Sequence, residues 1–72
     1  MFSKEIFCSR LRALREGRGE QQKDLALEFN VSKQKYSTWE TGTREPNMAA
    51  IVALADYFDV STDYLLGRVD EP

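Results

Sequence analysis

Between Gln22 and Pro46 the apolar positions form two short helical patterns separated by almost nothing. Leu25, Ala26 and Phe29 share one face at helical spacing, Asn30 interrupts, and Val31-Ser32 opens a second segment in which Tyr36 and Trp39 again share a face. Asn tolerates the left-handed backbone conformation better than any residue but glycine, which predicts Asn30 as the residue that closes the first of these helices. Ser32 is a strong N-cap for the second, its hydroxyl placed to accept an orphan N–H of the first turn. A turn this short fixes the angle between the helices, provided that Val31 buries its side chain at the elbow.

Extended along the chain, the pattern predicts an all-α, compact five-helix domain with no strands. A first helix spans Ser3 to Glu16, with Phe7, Leu11 and Leu14 on one face, and stops at Gly17-Arg18-Gly19. The two motif helices follow, Gln22–Phe29 and Ser32–Thr41, the second stopped by Gly42. After the loop Thr43-Arg44-Glu45-Pro46 comes a fourth helix, Asn47–Phe58, whose buried stripe is Ile51, Leu54, Ala55 and Phe58. Ser61 caps a short last helix carrying Leu65 and Leu66, closed by Gly67. The core covers roughly residues 3–67 of one domain, with no repeat, linker or low-complexity segment.

The helix from Ser32 divides into two faces at 100° per residue. Tyr36 and Trp39 lie on one, with Glu40 at its margin; Lys33, Gln34, Ser37, Thr38 and Thr41 cluster on the other, which carries no acid. Two helices joined by a tight turn can hold such a polar face out from the body, where it can enter a DNA major groove. Its residues are of the types that read base edges: Lys for guanine O6/N7, Gln for adenine N6/N7, Ser or Thr for either kind of group. Any solvated helix face has a similar composition, so composition alone leaves both readings open.

Charge first argues against a polyanion as partner, because the net charge is −2. Its distribution changes that picture. Met1 to Arg44 holds nine Lys or Arg against six Asp or Glu, a net +3, whereas Glu45 to Pro72 holds one against six, a net −5. A basic half joined to an acidic half orients on a polyanion, with modest nonspecific affinity.

The residues in these positions also resemble a known family. Gln22-Lys23-Asp24-Leu25-Ala26, Asn30-Val31-Ser32, Tyr36-Ser37-Thr38-Trp39-Glu40-Thr41-Gly42, Pro46, Leu54-Ala55 and Val60-Ser61-Thr62-Asp63-Tyr64-Leu65-Leu66-Gly67 are similar to the XRE family of helix-turn-helix DNA-binding domains, of the Cro and lambda-repressor type. The similarity runs from about Leu11 to Gly67 without a gap, and its specificity comes from many separately placed residues agreeing. It implies a transcriptional regulator, a repressor, that reads operator half-sites with its third helix. Lys33, Gln34, Ser37 and Thr38 match base-facing positions; Gln22, Lys23, Lys35, Thr41, Thr43 and Arg44 match backbone-facing ones. Gln22 also stands at a helix start, beside free N–H groups and the positive dipole end, which suits a phosphate. Arg15 and Glu40 match a partly buried ion pair that fixes the third helix.

For the two-fold contact the resemblance points to the last helix and its preceding loop, here Thr62, Tyr64, Leu65 and Arg68, with Tyr64 as anchor. Two positions depart from the family pattern. Tyr36 stands where a branched aliphatic residue is usual, so its phenol must reach the surface or find a partner, setting the third helix slightly farther out. Glu20 and Gln21 replace an apolar residue and a Ser or Thr cap, which leaves the second helix less firmly nucleated.

Other chemistry is thin. With no histidine, a single cysteine, no metal-ligand cluster and no Gly-rich phosphate loop, 72 residues leave little room for a catalytic cleft, and no cofactor is implied. Cys8 reads as a small packing residue of the first helix, and Leu27 and Tyr57 as outward-leaning side chains of the isolated exposed kind that is normal on a domain surface, with a partner contact as the alternative. No segment approaches the roughly 20 apolar residues of a membrane span, and the amino terminus lacks a signal-peptide h-region, which implies a cytoplasmic protein. The expected partners are double-stranded DNA and a second copy of the chain. Alternatives are an antitoxin-like protein with a toxin as main partner, the head of a longer repressor, or a protein-interaction module that has lost DNA binding; the acidic half favours a protein partner.

Overall fold

The computed structural model describes residues 3–72. Five helices follow one another: α1 (Lys4–Gly17), α2 (Gln22–Glu28), α3 (Lys33–Thr41), α4 (Met48–Phe58) and α5 (Thr62–Leu65), with no strand among the described residues. Each start is set by a local side chain. The hydroxyls of Ser3, Ser32 and Ser61 accept from the N–H groups of Ile6, Lys35 and Tyr64 at 3.3, 3.0 and 3.0 Å, and the Asn47 amide oxygen accepts from Ala50 at 2.8 Å.

The start of α2 differs from expectation in its mechanism. Gln21 occupies the cap position, and the Asp24 carboxylate reaches back to accept its N–H at 2.8 Å, the acid's half of a capping box. Glu20, on the same turn, is held by Arg18 at 3.0 Å and by the Tyr57 hydroxyl. Charge therefore supplies the anchoring that a Ser or Thr cap and an apolar residue supply elsewhere.

The tight turn closes as its sequence implies. Asn30 has φ 56°, its N–H reaches Leu27 O at 3.3 Å, and the Val31 N–H reaches back to Ala26 O at 2.9 Å, the paired bonds of a Schellman ending. Val31 packs against the core, so the elbow between α2 and α3 is filled. Gly42 ends α3 with φ 83°, its carbonyl taken by the Lys4 ammonium at 2.9 Å. Asp59 ends α4 in the left-handed region at φ 56°.

Phe7 and Leu11 of α1, Leu25 and Ala26 of α2, Tyr36 and Trp39 of α3, Leu54, Ala55 and Phe58 of α4 and Leu65 of α5 form one buried cluster. Removing a Leu or Phe side chain of this size from water contributes roughly 1.5–3 kcal/mol. α1 lies against both α3 and α5, α2 against α3, and α4 against α5. At Gly67, φ 82°, an added Cβ would stand 2.8 Å from Ile6 Cγ2, so the glycine lets the end of α5 close on α1. No helix among the described residues is long and apolar enough to cross a membrane.

Candidate nucleic-acid interface

The seat of α3 is built around one buried carboxylate. The Glu40 side chain has no exposed surface, and four donors fill its lone pairs. Arg15 grips it bidentately, Nε to Oε2 at 2.7 Å and Nη2 to Oε1 at 3.1 Å; the Tyr36 hydroxyl donates to Oε2 at 2.6 Å and the Gln22 amide to Oε1 at 3.1 Å. Arg12 approaches Oε1 at 3.9 Å. Burial pushes the Glu40 carboxyl up, but the hydrogen bonds from Arg15, Tyr36 and Gln22 together outweigh it and hold it below its ordinary value. Tyr36 is driven the other way, by burial and by its bond to the carboxylate, and stays protonated. The hydrogen bond to Glu40 also raises Arg15.

This arrangement settles how a tyrosine fits where an aliphatic residue was expected. Tyr36 is fully buried, packs edge-on against Trp39 with centroids 5.6 Å apart, and finds its polar partner one turn along its own helix. Its hydroxyl ties the buried face of α3 to α1 and α2 through Glu40, so the third helix need not stand off from the core.

The other face of α3 is open. Lys33, Gln34 and Lys35 are exposed and Ser37 and Thr38 half-buried. Gln22 joins Lys33, Gln34 and Ser37 around a shallow groove of about 310 Å³, and Gln34, Lys35, Thr38 and Arg44 line a second of about 390 Å³. The structure thus gathers the expected base-facing residues on one surface, flanked by Gln22 and Arg44. Lys23 is exposed on α2, away from both grooves.

Three hydroxyls and one amide have local partners. Thr38 donates to Lys35 O at 2.6 Å, and Thr41 and Thr43 share a hydroxyl contact at 3.0 Å. Gln22 gives an amide hydrogen to Glu40, so the side chain assigned to a phosphate is also an internal strut.

The cations separate into two groups. Arg10, Arg12, Arg15, Arg18 and Arg68 each lie within 4 Å of an acid, whereas Lys4, Lys23, Lys33, Lys35 and Arg44 form no ion pair among the described residues, Lys4 being spent on the Gly42 carbonyl. Opposite them no acid projects from the polar face of α3, so their charge is left for an external anion.

One residue of the expected two-fold contact needs correction. Leu65 is 0% exposed, a core residue that offers no surface to a partner. Tyr64 is covered within its own chain: the Arg10 guanidinium lies 4.0 Å from its ring centroid and donates to the carbonyls of Tyr64 and of Val69, the latter at 2.6 Å. Arg68 is exposed and paired with Asp63 at 3.4 Å, and Thr62 is half-buried. Tyr57 is likewise no outward side chain, being packed edge-on against Phe29 and Phe58 with Arg18 over its ring at 4.5 Å. Leu27 stands 84% exposed. Cys8 is half-buried against α3, its thiol 3.4 Å from Trp39 O, and burial raises its pKa. No group of three or more metal-ligating side chains occurs among the described residues.

Two short helices joined by a tight turn, the second presenting an open polar face, are the arrangement of the helix-turn-helix class of DNA-binding domain. The chain belongs to the helix-turn-helix family, whose model matches residues 11–65. It is 36% identical over 67 residues to YobD, an uncharacterized HTH-type transcriptional regulator of Bacillus subtilis (strain 168), covering 93% of this chain and 60% of that protein. Among solved structures, the P22 c2 repressor in complex with a synthetic operator superposes with a TM-score of 0.80 at 33% identity, over 89% of this chain and 97% of that one. The LexA SOS-response repressor of Eubacterium rectale gives 0.81 at 33% identity, over 88% and 67%. The chain spans 60% or less of the length of the curated relatives it matches. These curated relatives are named as HTH-type transcriptional regulators.

Proposed function

We propose that this chain is a sequence-specific DNA-binding domain of a cytoplasmic transcriptional repressor, which seats α3 in the major groove of an operator half-site. The observation that carries the reading is that the cations on and beside the open face of α3, Lys33, Lys35 and Arg44, form no ion pair among the described residues, while Arg10, Arg12, Arg15, Arg18 and Arg68 each have an acidic partner. Lys33, Gln34, Ser37 and Thr38 read base edges; Gln22, Lys23, Lys35, Thr41, Thr43 and Arg44 hold the backbone. Likeness to a repressor solved on its operator supports both the mode and the output.

One α3 covers only a few base pairs, too few to single out a site in a genome, so two copies read a two-fold operator with half-sites roughly 34–36 Å apart. Selection of duplexes from a random library, followed by binding at several salt concentrations, tests the reading. The expected result is a single palindromic consensus whose affinity falls steeply with salt. Failure to enrich any sequence would remove DNA recognition as the function and leave the protein-interaction alternative.

A further inference from the structure

The donors around Glu40 leave room for one more, and the structure shows which takes it. Arg15 Nε and the Tyr36 hydroxyl fill the two lone pairs of Oε2 at 2.7 and 2.6 Å, and Arg15 Nη2 fills one of Oε1 at 3.1 Å. Arg12, at 3.9 Å, is too far to hydrogen-bond. The lone pair that remains on Oε1 is taken by the Gln22 amide, also at 3.1 Å. A carboxylate has no hydrogen to give, so Gln22 must turn its nitrogen inward. Exchanging nitrogen for oxygen would set a carbonyl dipole against a buried charge, which is costly in a site with no exposed surface.

Gln22 is itself only half-buried, and with Lys33, Gln34 and Ser37 it lines the groove of about 310 Å³ on the open side of α3. Its second amide hydrogen has no partner among the described residues. An amide free to turn presents hydrogen or oxygen to that groove alike, whereas one anchored on Glu40 keeps its spare hydrogen in one place. A phosphate oxygen accepts and never donates, so only the anchored orientation suits it. We propose that Glu40 is a positioning residue for DNA binding: it never reaches the duplex, yet it fixes Gln22 as the donor to a backbone phosphate. The proposal rests on the operator reading above and assigns part of the affinity of that surface to a buried carboxylate.

Holding α3 in place and orienting Gln22 are separable tasks of the one carboxylate. Two bonds from Arg15 tie it to α1, Tyr36 ties it within α3, and Gln22 alone ties it to α2. Gln22 is uncharged, so losing its phosphate bond leaves the number of counterions released on binding unchanged. A shift of α3 would instead withdraw Lys33 and Lys35 from the duplex and lower that number. The slope of log affinity against log salt therefore tells the two tasks apart.

The test is a double-mutant cycle on the full chain with duplexes selected by the wild-type protein, Gln22→Met and Glu40→Gln being made singly and together. Gln22→Met keeps the length of the side chain and removes its amide. Each single variant should lose about three- to tenfold in affinity, and the double variant no more than the larger single loss, with the salt slope of the wild type. Losses that multiply, or a slope shallower by about one or more in Glu40→Gln, would leave Glu40 as a seat for α3 alone and overturn the proposal. Should Glu40→Gln fail to fold, nitrogen-15 NMR of the wild-type chain decides. The Gln22 side-chain amide, assigned by its loss in Gln22→Met, should show one hydrogen shifted downfield and protected from exchange, and its second hydrogen should shift when the duplex is added. An amide with the signals of a free glutamine, or one that ignores the duplex, overturns the proposal. A chain that selects no duplex takes down the operator reading and this proposal with it, whereas selected duplexes with multiplying losses defeat this proposal alone.

Discussion

Tyr36→Phe removes a single oxygen atom, and the structure says what that atom does. The hydroxyl is fully buried and donates at 2.6 Å to a carboxylate that has no exposed surface. A hydrogen bond to a charged group contributes roughly 1.5–3 kcal/mol. Part of this is offset because the phenylalanine no longer desolvates a hydroxyl, and because Arg15 and Gln22 still hold Glu40 with three bonds. The expected loss is about 1–2 kcal/mol, a fall in Tm of roughly 5–15 °C for a domain of this size. Arg15→Ala should cost more, about 3–5 kcal/mol, since it strands the buried charge. Against a total of about 4–11 kcal/mol for 72 residues, that variant stands near the edge of folding. Thermal and urea unfolding at neutral pH measure both. If Tyr36→Phe melts with the wild type, Glu40 is not held by four donors and the account of how α3 is seated fails.

The same network gives a pH dependence. Glu40 has its folded pKa below its ordinary 4.5, so its contribution to stability is complete above that pH and is lost as the pH falls through the folded value; Glu40→Gln should unfold with a shallower acid limb than wild type, and parallel acid limbs would exclude Glu40 as the group responsible. Arg44→Ala should weaken binding to all duplexes alike and make the slope of log affinity against log salt shallower by about one; a loss confined to one sequence would contradict a backbone role. Asn30→Ala, at φ 56°, should lose about 1 kcal/mol or more while Asn30→Gly stays near wild type; equal stability in the two variants would show that the left-handed turn carries no strain.

Local chemistry made most of the fold legible. Caps at Ser32 and Ser61, the Asn30 turn and the stop at Gly42 each depend on a residue and its neighbours within one turn, which is the range a sequence pattern reports, while Ser3 and Asn47, read as first helical residues, cap their helices from one position outside. Asp59 in the left-handed region and the Asp24 cap escaped because Asp is ambiguous between helix, cap and turn. The candidate interface was legible as a helical face, since Lys33, Gln34, Ser37 and Thr38 follow from periodicity once the axis of α3 is known. What the pattern could not supply is contact between elements distant in sequence. Arg10 covering Tyr64 spans more than fifty residues, and Leu65 was assigned to the two-fold contact from the resemblance alone, because a four-residue helix has too little periodicity to show that it faces the core. Gln22 was read as a DNA contact from its place at a helix start; its second partner, Glu40, lies eighteen residues on and across a helix crossing.

The most direct measurement of the central claim, that the open face of α3 reads bases, compares the duplexes selected by the wild-type chain with those selected by Gln34→Ala. The account predicts a consensus that keeps its palindromic spacing and loses preference at one base position in each half-site, a discrimination of roughly 1–3 kcal/mol. A Gln34→Ala consensus identical to wild type at every position, with Lys33→Ala equally unchanged, would contradict it and remove α3 as the reading element.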